Sequence, residues 1–244
     1  MKKPLGVYWT CVSRFDATTI YVVVRAAKSR NTKTGDMRQV YYLPAAPPVA
    51  STKNGSDKAV CGDCKHRPIV GGKCYVAVAR GPLVTYRALY RGRYVPAHSP
   101  AGIAILESHR GTPVRLCAWG DPGAICQSDH AMIWATLSPR RWTGYTHAWR
   151  TTPWLRDVCM ASVDTVAEAA EARANGWRFF RVRGHGDPLL TNEFACPAAA
   201  ESGKRLQCVD CFACNGAPNG KSGGSVAIVA HGFRVGKNNQ NGVT

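Results

Sequence analysis

"VCMASVDTVAEAAEARANGWRFFRVRG", residues 158–184, reads as strand, helix and strand in immediate succession. "VCMASV" is a short apolar run that stops at Asp164. Behind it, Thr165 and Glu168 have the spacing of a capping box, alanines fill the middle of "TVAEAAEARANG", and Asn175-Gly176 supplies the stop. "WRFFRVRG" then resumes an extended run. One helix between two strands implies a parallel βαβ unit, because a parallel neighbour needs a crossover connection.

The same rhythm extends upstream. "PVRLCAW" stops at "GDPGA", and "WTGYTHAW" stops near Thr146-His147. The expected fold is therefore α/β, with a parallel (β/α) barrel-like or partial-barrel arrangement; an open doubly wound sheet is the alternative. In both, functional side chains collect at the C-terminal strand ends, which here offer Asp121, Tyr145, His147, Asp164 and His185. "TTIYVVVRA" (18–26) and "RQVYYL" (38–43) form an expected N-terminal β-hairpin, and "PAAPPVASTKNGSDK" a loop leading to the first cysteines. "CYVAVARGPLVTYRALYRGRY" reads as partly helical, with Tyr86, Tyr90 and Tyr94 in one row beside Arg87 and Arg91. The expected organisation is one α/β domain over residues 1–235, with a Cys-rich insert at about 55–80 and a C-terminal metal-binding segment at 196–231. Residues 236–244, polar throughout most of their length, read as a disordered tail.

At 244 residues and 45% hydrophobic composition the chain has enough apolar material for a buried core. No apolar run reaches the roughly 18 residues of a membrane span, and the first residues lack a signal-peptide pattern. A soluble, cytoplasmic protein without a membrane partner is expected. Its 32 Lys+Arg against 15 Asp+Glu give a formal net charge of +17, which favours a polyanion through counterion release. Nucleic acid, DNA before RNA, is the expected partner; a merely basic surface is the alternative.

Eleven cysteines in a chain without an export pattern point to metal rather than to a disulfide framework. Cys196, Cys208, Cys211 and Cys214 form C-x11-C-x2-C-x2-C, and His231 follows. Such a set satisfies zinc or a [4Fe–4S] cluster, with His231 as a competing ligand for zinc. Cys61, Cys64 and Cys74 form C-x2-C-x9-C, completed from elsewhere, for example by His66, or left open at one position where a metal can act. Cys117 and Cys159 lie in apolar runs and read as core.

Asp121 and Asp164 are candidate catalytic carboxylates, one a nucleophile at a sugar carbon and one an acid/base partner. The alternative is structural: Asp-Pro-Gly is a good turn, and Asp164 precedes a helix. Tyr145 and His147, flanked by Trp142 and Trp149, are candidates for holding an extruded base. Arg80, Arg87 and Arg91 suit phosphate contacts.

In order, "CGDCKHRPIVGGKCYVAVARGP", "RLCAWGDPGA", "GYTHAW", "CMASVDTVAEA", "FACPAAAESGKRLQCVDCFAC" and "AHG" resemble the phage gene-product-88 family of phage, bacterial and archaeal proteins, over roughly residues 55–233. That resemblance brings no activity with it, but two further likenesses do. The C-terminal cysteines followed by a distant His look like the zinc site of tRNA-guanine transglycosylases, although those carry Cys-x-Cys-x2-Cys. This likeness implies a barrel with paired catalytic aspartates, Asp164 attacking C1′ and Asp121 assisting, and insertion of a 7-deazaguanine into DNA. Cys61, Cys64 and Cys74 look like a stretched radical S-adenosylmethionine cluster loop, with "WGDP" in place of a Gly-Gly-Glu-Pro-like stretch. On that likeness the cofactors are a [4Fe–4S] cluster and S-adenosylmethionine, and the C-terminal cysteines hold an auxiliary cluster. A metal-stapled nucleic-acid-binding protein without catalysis is the third expectation.

Overall fold

The computed structural model describes residues 2–26, 29, 31–204, 206–220 and 223–230, so His231 and the polar tail lie outside the described residues. Strands β1 (Gly6–Val12), β2 (Thr19–Arg25) and β3 (Arg38–Pro44) form an antiparallel meander. The expected hairpin is its second half. β1 joins because Val7, Trp9 and Cys11 are buried while Tyr8, Thr10 and Val12, on the other face of the strand, are more open, the period of two that a half-covered strand requires.

After β3 the direction of pairing changes. The short β4 (Val95–Pro96) adds parallel to β1, while β5 (Val114–Trp119) pairs parallel to β3 and β6 (Trp142–Thr143) parallel to β5. A second sheet contains β7 (Tyr145–Thr146), β8 (Met160–Val163), β9 (Phe179–Arg183), β10 (Glu193–Ala195) and β11 (Ser225–Val229), in the order β10-β11-β9-β8-β7 with parallel neighbours throughout. The chain is thus mixed α/β with two sheets, each open at its outer edge, β4 in one and β10 in the other.

Seven α-helices connect these strands among the described residues: α1 (Pro48–Asn54), α2 (Lys58–Cys61), α3 (Gly81–Tyr90), α4 (Pro100–Ser108), α5 (Gln127–Leu137), α6 (Val166–Ala174) and α7 (Cys208–Cys211). None is long and apolar enough to cross a membrane. Helix α6 starts as its sequence requires, with Thr165 Oγ1 accepting from the Glu168 backbone N–H at 3.1 Å. The reciprocal arm of the box is shifted by one residue: Glu168 Oε2 accepts from the Asp164 N–H at 2.8 Å, which anchors the strand end to the helix start. α3 stops at Tyr90, so Tyr94 leaves the expected tyrosine row and is buried in the core.

β6 and β7 are separated by Gly144 alone, and that residue joins the two sheets. Its N–H donates to the Cys214 carbonyl and its carbonyl accepts from Met160 N–H, both at 2.9 Å. A Cβ here would stand 2.6 Å from the Val158 oxygen and 2.8 Å from Cys159 Sγ, so only glycine fits the crossing. Next to it, Tyr145 N–H donates to Cys117 Sγ at 3.3 Å, spanning from the second sheet to the first. One hydrophobic core runs through both sheets, from Ile20, Val22 and Leu43 to Val114, Val163 and Phe179. Met160, Cys196, Cys214, Val226 and Ile228 form a smaller one under the C-terminal cysteines. Cys117 and Cys159 are buried, as their apolar runs predict.

Candidate active site at the strand ends

Parallel pairing sends the ends of β5, β7 and β8 toward one rim, and the polar residue that follows each apolar run lands there. Asp121 follows β5, His147 follows β7 and Asp164 follows β8. Asp121 is buried and fully engaged: Oδ1 accepts from Gly123 N–H at 2.8 Å and Thr146 Oγ1–H at 2.7 Å, and Oδ2 accepts from His147 N–H at 2.7 Å. The turn reading of this residue holds, and the same carboxylate also fixes His147.

The loop between β3 and α3 brings in Cys61, Cys64 and Cys74. Its scaffold is Arg67, which donates to Asp57 Oδ1 from Nε at 3.0 Å and from Nη2 at 2.7 Å, and also to the carbonyls of Gly55 (2.7 Å) and Gly62 (3.1 Å). Arg67 and Asp57 are both buried, so each is the other's counter-charge. Gly72 lets the loop fold back on itself; a Cβ there would meet the Lys65 oxygen at 2.2 Å. Asp121 N–H donates to the Val60 carbonyl at 2.7 Å, which docks α2 and Cys61 against the rim.

The Cys61 and Cys64 thiols feel the rim carboxylates. Burial pushes the Cys61 thiol well up, with Asp57, Cys64, Cys74 and Asp121 adding to it. Burial pushes Cys64 up to about 12; a backbone hydrogen bond at His66 opposes this, and Asp121, Cys74 and Asp164 reinforce it. Burial thus disfavours the thiolate form at Cys61 and Cys64, the form that a metal ion favours.

Asp164 is the centre of an ion-pair group. Its Oδ2 lies 2.9 Å from His66 Nε2 and 3.0 Å from Lys65 Nζ, and Lys65 also reaches Glu168 Oε1 at 3.3 Å. Burial alone would raise the Asp164 pKa, but His66 and Lys65 outweigh it and hold the carboxyl at about 2. Burial lowers the His147 pKa; Asp121 opposes that shift and His66 adds to it. Among the described residues, His66, His147 and Asp164 form the one group of three His, Cys, Asp or Glu ligand atoms all within 4.8 Å of one another.

Cys196, Cys208, Cys211 and Cys214 form a second neighbourhood. Burial pushes the Cys214 thiol up, the Tyr145 hydroxyl pulls it down by hydrogen bonding, and Cys196, Cys208 and Cys211 push it up again. The loop is fastened on several sides. Arg178 donates to the carbonyls of Ala213 (2.7 Å), Gly216 (2.6 Å) and Gly224 (2.8 Å), and Trp142 Nε1 donates to the Asn215 carbonyl at 3.0 Å. Cys208 N–H and Val209 N–H donate to the Lys33 and Thr34 carbonyls, both at 3.0 Å.

Other expected site residues fall elsewhere. Tyr145 faces this second group, edge-on to Phe180 at 4.8 Å between ring centroids. Trp149 is buried with Arg150 over its ring, and Trp142 packs edge-on against Trp134, so neither presents a free stacking face. Arg80, Arg87 and Arg91 are exposed at the start, along the face and at the end of α3. His185 is exposed in the loop after β9. Lys65, Arg67 and the His66–Asp164 pair carry no motif of their own in the sequence; their one local signal is the run Cys64-Lys65-His66-Arg67, four reactive or charged side chains in succession. No family model matches the chain, and neither does any curated protein or solved structure.

Proposed function

We propose that this chain is a nucleic-acid-modifying iron–sulfur enzyme whose reaction centre lies at the rim, on Cys61, Cys64 and Cys74. The observation that carries this reading is the placement of the three-cysteine loop: it follows β3, the first strand of the parallel series, and it is fastened to the strand ends by Asp121 N–H on the Val60 carbonyl at 2.7 Å and by His66 on Asp164 at 2.9 Å. Three sulfurs leave one iron of a [4Fe–4S] cluster open to a co-substrate, and the likeness to radical S-adenosylmethionine enzymes names that co-substrate. When bound, such a cluster supplies one-electron chemistry.

The chain's own residues do the rest. Arg67 fixes the loop, Asp121 locks the ends of β5 and β7 together, and Lys65 and His66 close the loop onto Asp164. Arg80, Arg87 and Arg91, on the helix that leaves the cysteine loop, offer phosphate contacts for a DNA substrate, in keeping with the net charge of +17. The C-terminal four cysteines then hold a closed, structural metal or auxiliary cluster, and the two sheets act as a partial barrel. So many thiols suit a reducing cytoplasm.

Anaerobic purification is the test: a brown protein that loses about four irons in a Cys64→Ser variant, and that cleaves S-adenosylmethionine when reduced only with Cys64 present, supports the reading. Colourless protein carrying zinc alone would sink it. The transglycosylase-like reading keeps one point in its favour: Asp164 is held anionic at the rim, as a nucleophile must be. Its partner is the difficulty, since both Asp121 oxygens already accept hydrogen bonds. Base exchange by iron-free protein, abolished in Asp164→Asn, would establish it instead.

A further inference from the structure

His66, His147 and Asp164 come from three separate parts of the chain: the cysteine loop, the residue after β7 and the residue after β8. Two imidazoles and one carboxylate with other positions open are a donor set for a first-row divalent metal. With bonds of about 2.0–2.2 Å, adjacent ligands on such an ion stand about 3 to 3.5 Å apart. His66 Nε2 and Asp164 Oδ2 already stand at 2.9 Å, and the His66 and His147 rings meet edge-on with centroids 5.6 Å apart. Two of the three ligands are anchored from behind, His147 through its N–H on Asp121 and Asp164 through its N–H on Glu168. The His66 and Asp164 side chains keep 32% and 16% of their surface exposed, so an ion can enter from solvent.

Lys65 stands beside the same carboxylate oxygen to which a metal ion would be drawn. Its ammonium lies 3.0 Å from the same Asp164 oxygen that faces His66, yet half of its side chain is exposed, on a flexible stem free to swing outward. It supplies the positive charge beside Asp164 that an ion would otherwise supply.

We propose that His66, His147 and Asp164 form a mononuclear site for a divalent transition metal, and that Lys65 is a built-in competing cation that must leave Asp164 for the metal to bind. The ion's remaining positions face the rim, where water or a substrate oxygen would occupy them. Its donors are nitrogen and oxygen, so an ion held here is distinguished by its ligand set from iron on Cys61, Cys64 and Cys74, although His66 belongs to the same loop.

Manganese(II) is the probe, because it prefers oxygen and nitrogen donors over thiolates. Titration of the full chain, followed by loss of the free-ion EPR signal, is expected to show one saturable site. His147→Ala should weaken it at least tenfold, and Lys65→Met should tighten it about threefold or more, because a competing charge has been removed. Absence of saturable binding, equal affinity in His147→Ala, or unchanged or weaker binding in Lys65→Met would each overturn the proposal. The lysine variant is decisive if His147→Ala folds poorly, since a purely structural Lys65–Asp164 clasp predicts no gain of metal affinity.

Discussion

The backbone N–H of His147 reaches Asp121 Oδ2 at 2.7 Å, fastening the end of β7 to the end of β5 and so one sheet to the other. With Gly123 N–H and Thr146 Oγ1–H on Oδ1, the carboxylate has three donors. An amide in its place would turn an NH2 toward at least one of them. Asp121→Asn is therefore expected to cost about 2–4 kcal/mol, charge-assisted bonds being worth about 1.5–3 kcal/mol each. Urea denaturation measures it; unchanged stability with lost activity would instead mark Asp121 as a purely chemical residue.

Arg67 is expected to control the cysteine loop without touching any sulfur-bound metal. Arg67→Met leaves Asp57 buried without its counter-charge, a change that costs about 3–5 kcal/mol. The loss should be local as well as global, with proteolytic nicking between Cys61 and Cys74 appearing before the remaining chain is cut. Simultaneous replacement of Asp57 by Asn should recover part of the loss, since no charge is then stranded.

His130, in α5, gives the fold an acid-side weakness. It is buried, stacked at 6.2 Å on Trp134, and burial lowers its pKa to about 4 from an ordinary value of 6.5. The unfolded chain therefore binds a proton between those values that the folded chain does not. Stability contributed by the neutral imidazole is complete above pH 6.5 and falls as pH drops toward about 4, with a slope of at most about 1.4 kcal/mol per pH unit. Melting curves across that window should show a shallower slope for His130→Gln.

If nucleic acid lies along α3, each of Arg80, Arg87 and Arg91 that touches a phosphate contributes about 0.9 to the slope of log affinity against log salt. Alanine at all three should lower the slope by up to about 2.7 and weaken binding evenly across sequences. A fluorescence-anisotropy series at several salt concentrations would decide it, and an unchanged slope would remove α3 from the interface.

What the sequence discloses is what is encoded within a few residues. β5, β8, β9 and α6 announce themselves through apolar runs, a capping pair and an Asn-Gly stop, and Asp121 and Asp164 are visible as the polar residues that end such runs. The meeting of His66 with Asp164 is not visible, because 98 positions separate them and no local preference links a loop histidine to a strand end. Tyr86 and Tyr90 carry a related lesson. Their spacing is helical, but their hydroxyls both donate to the Ala45 carbonyl, a partner chosen by how α3 lies against β3. Short β6 and β7 depend on Gly144, whose role as a crossing point comes from the Cys214 carbonyl docked on it.

The docking of Cys208 and Val209 on Lys33 and Thr34 also sets an order of events during synthesis. Gln207 Nε2 reinforces it by donating to the Thr32 carbonyl at 2.8 Å across 175 positions. The turn between β2 and β3 emerges early from the ribosome, but the residues that fasten it are made only after the first sheet and the second sheet as far as β10 have been translated. At a typical elongation rate of about 5–20 residues per second, that turn waits roughly 10–35 seconds for its partner. The C-terminal cysteine segment is thus a late clasp, and the β2–β3 hairpin remains without it until translation has passed the last strand-end of the rim.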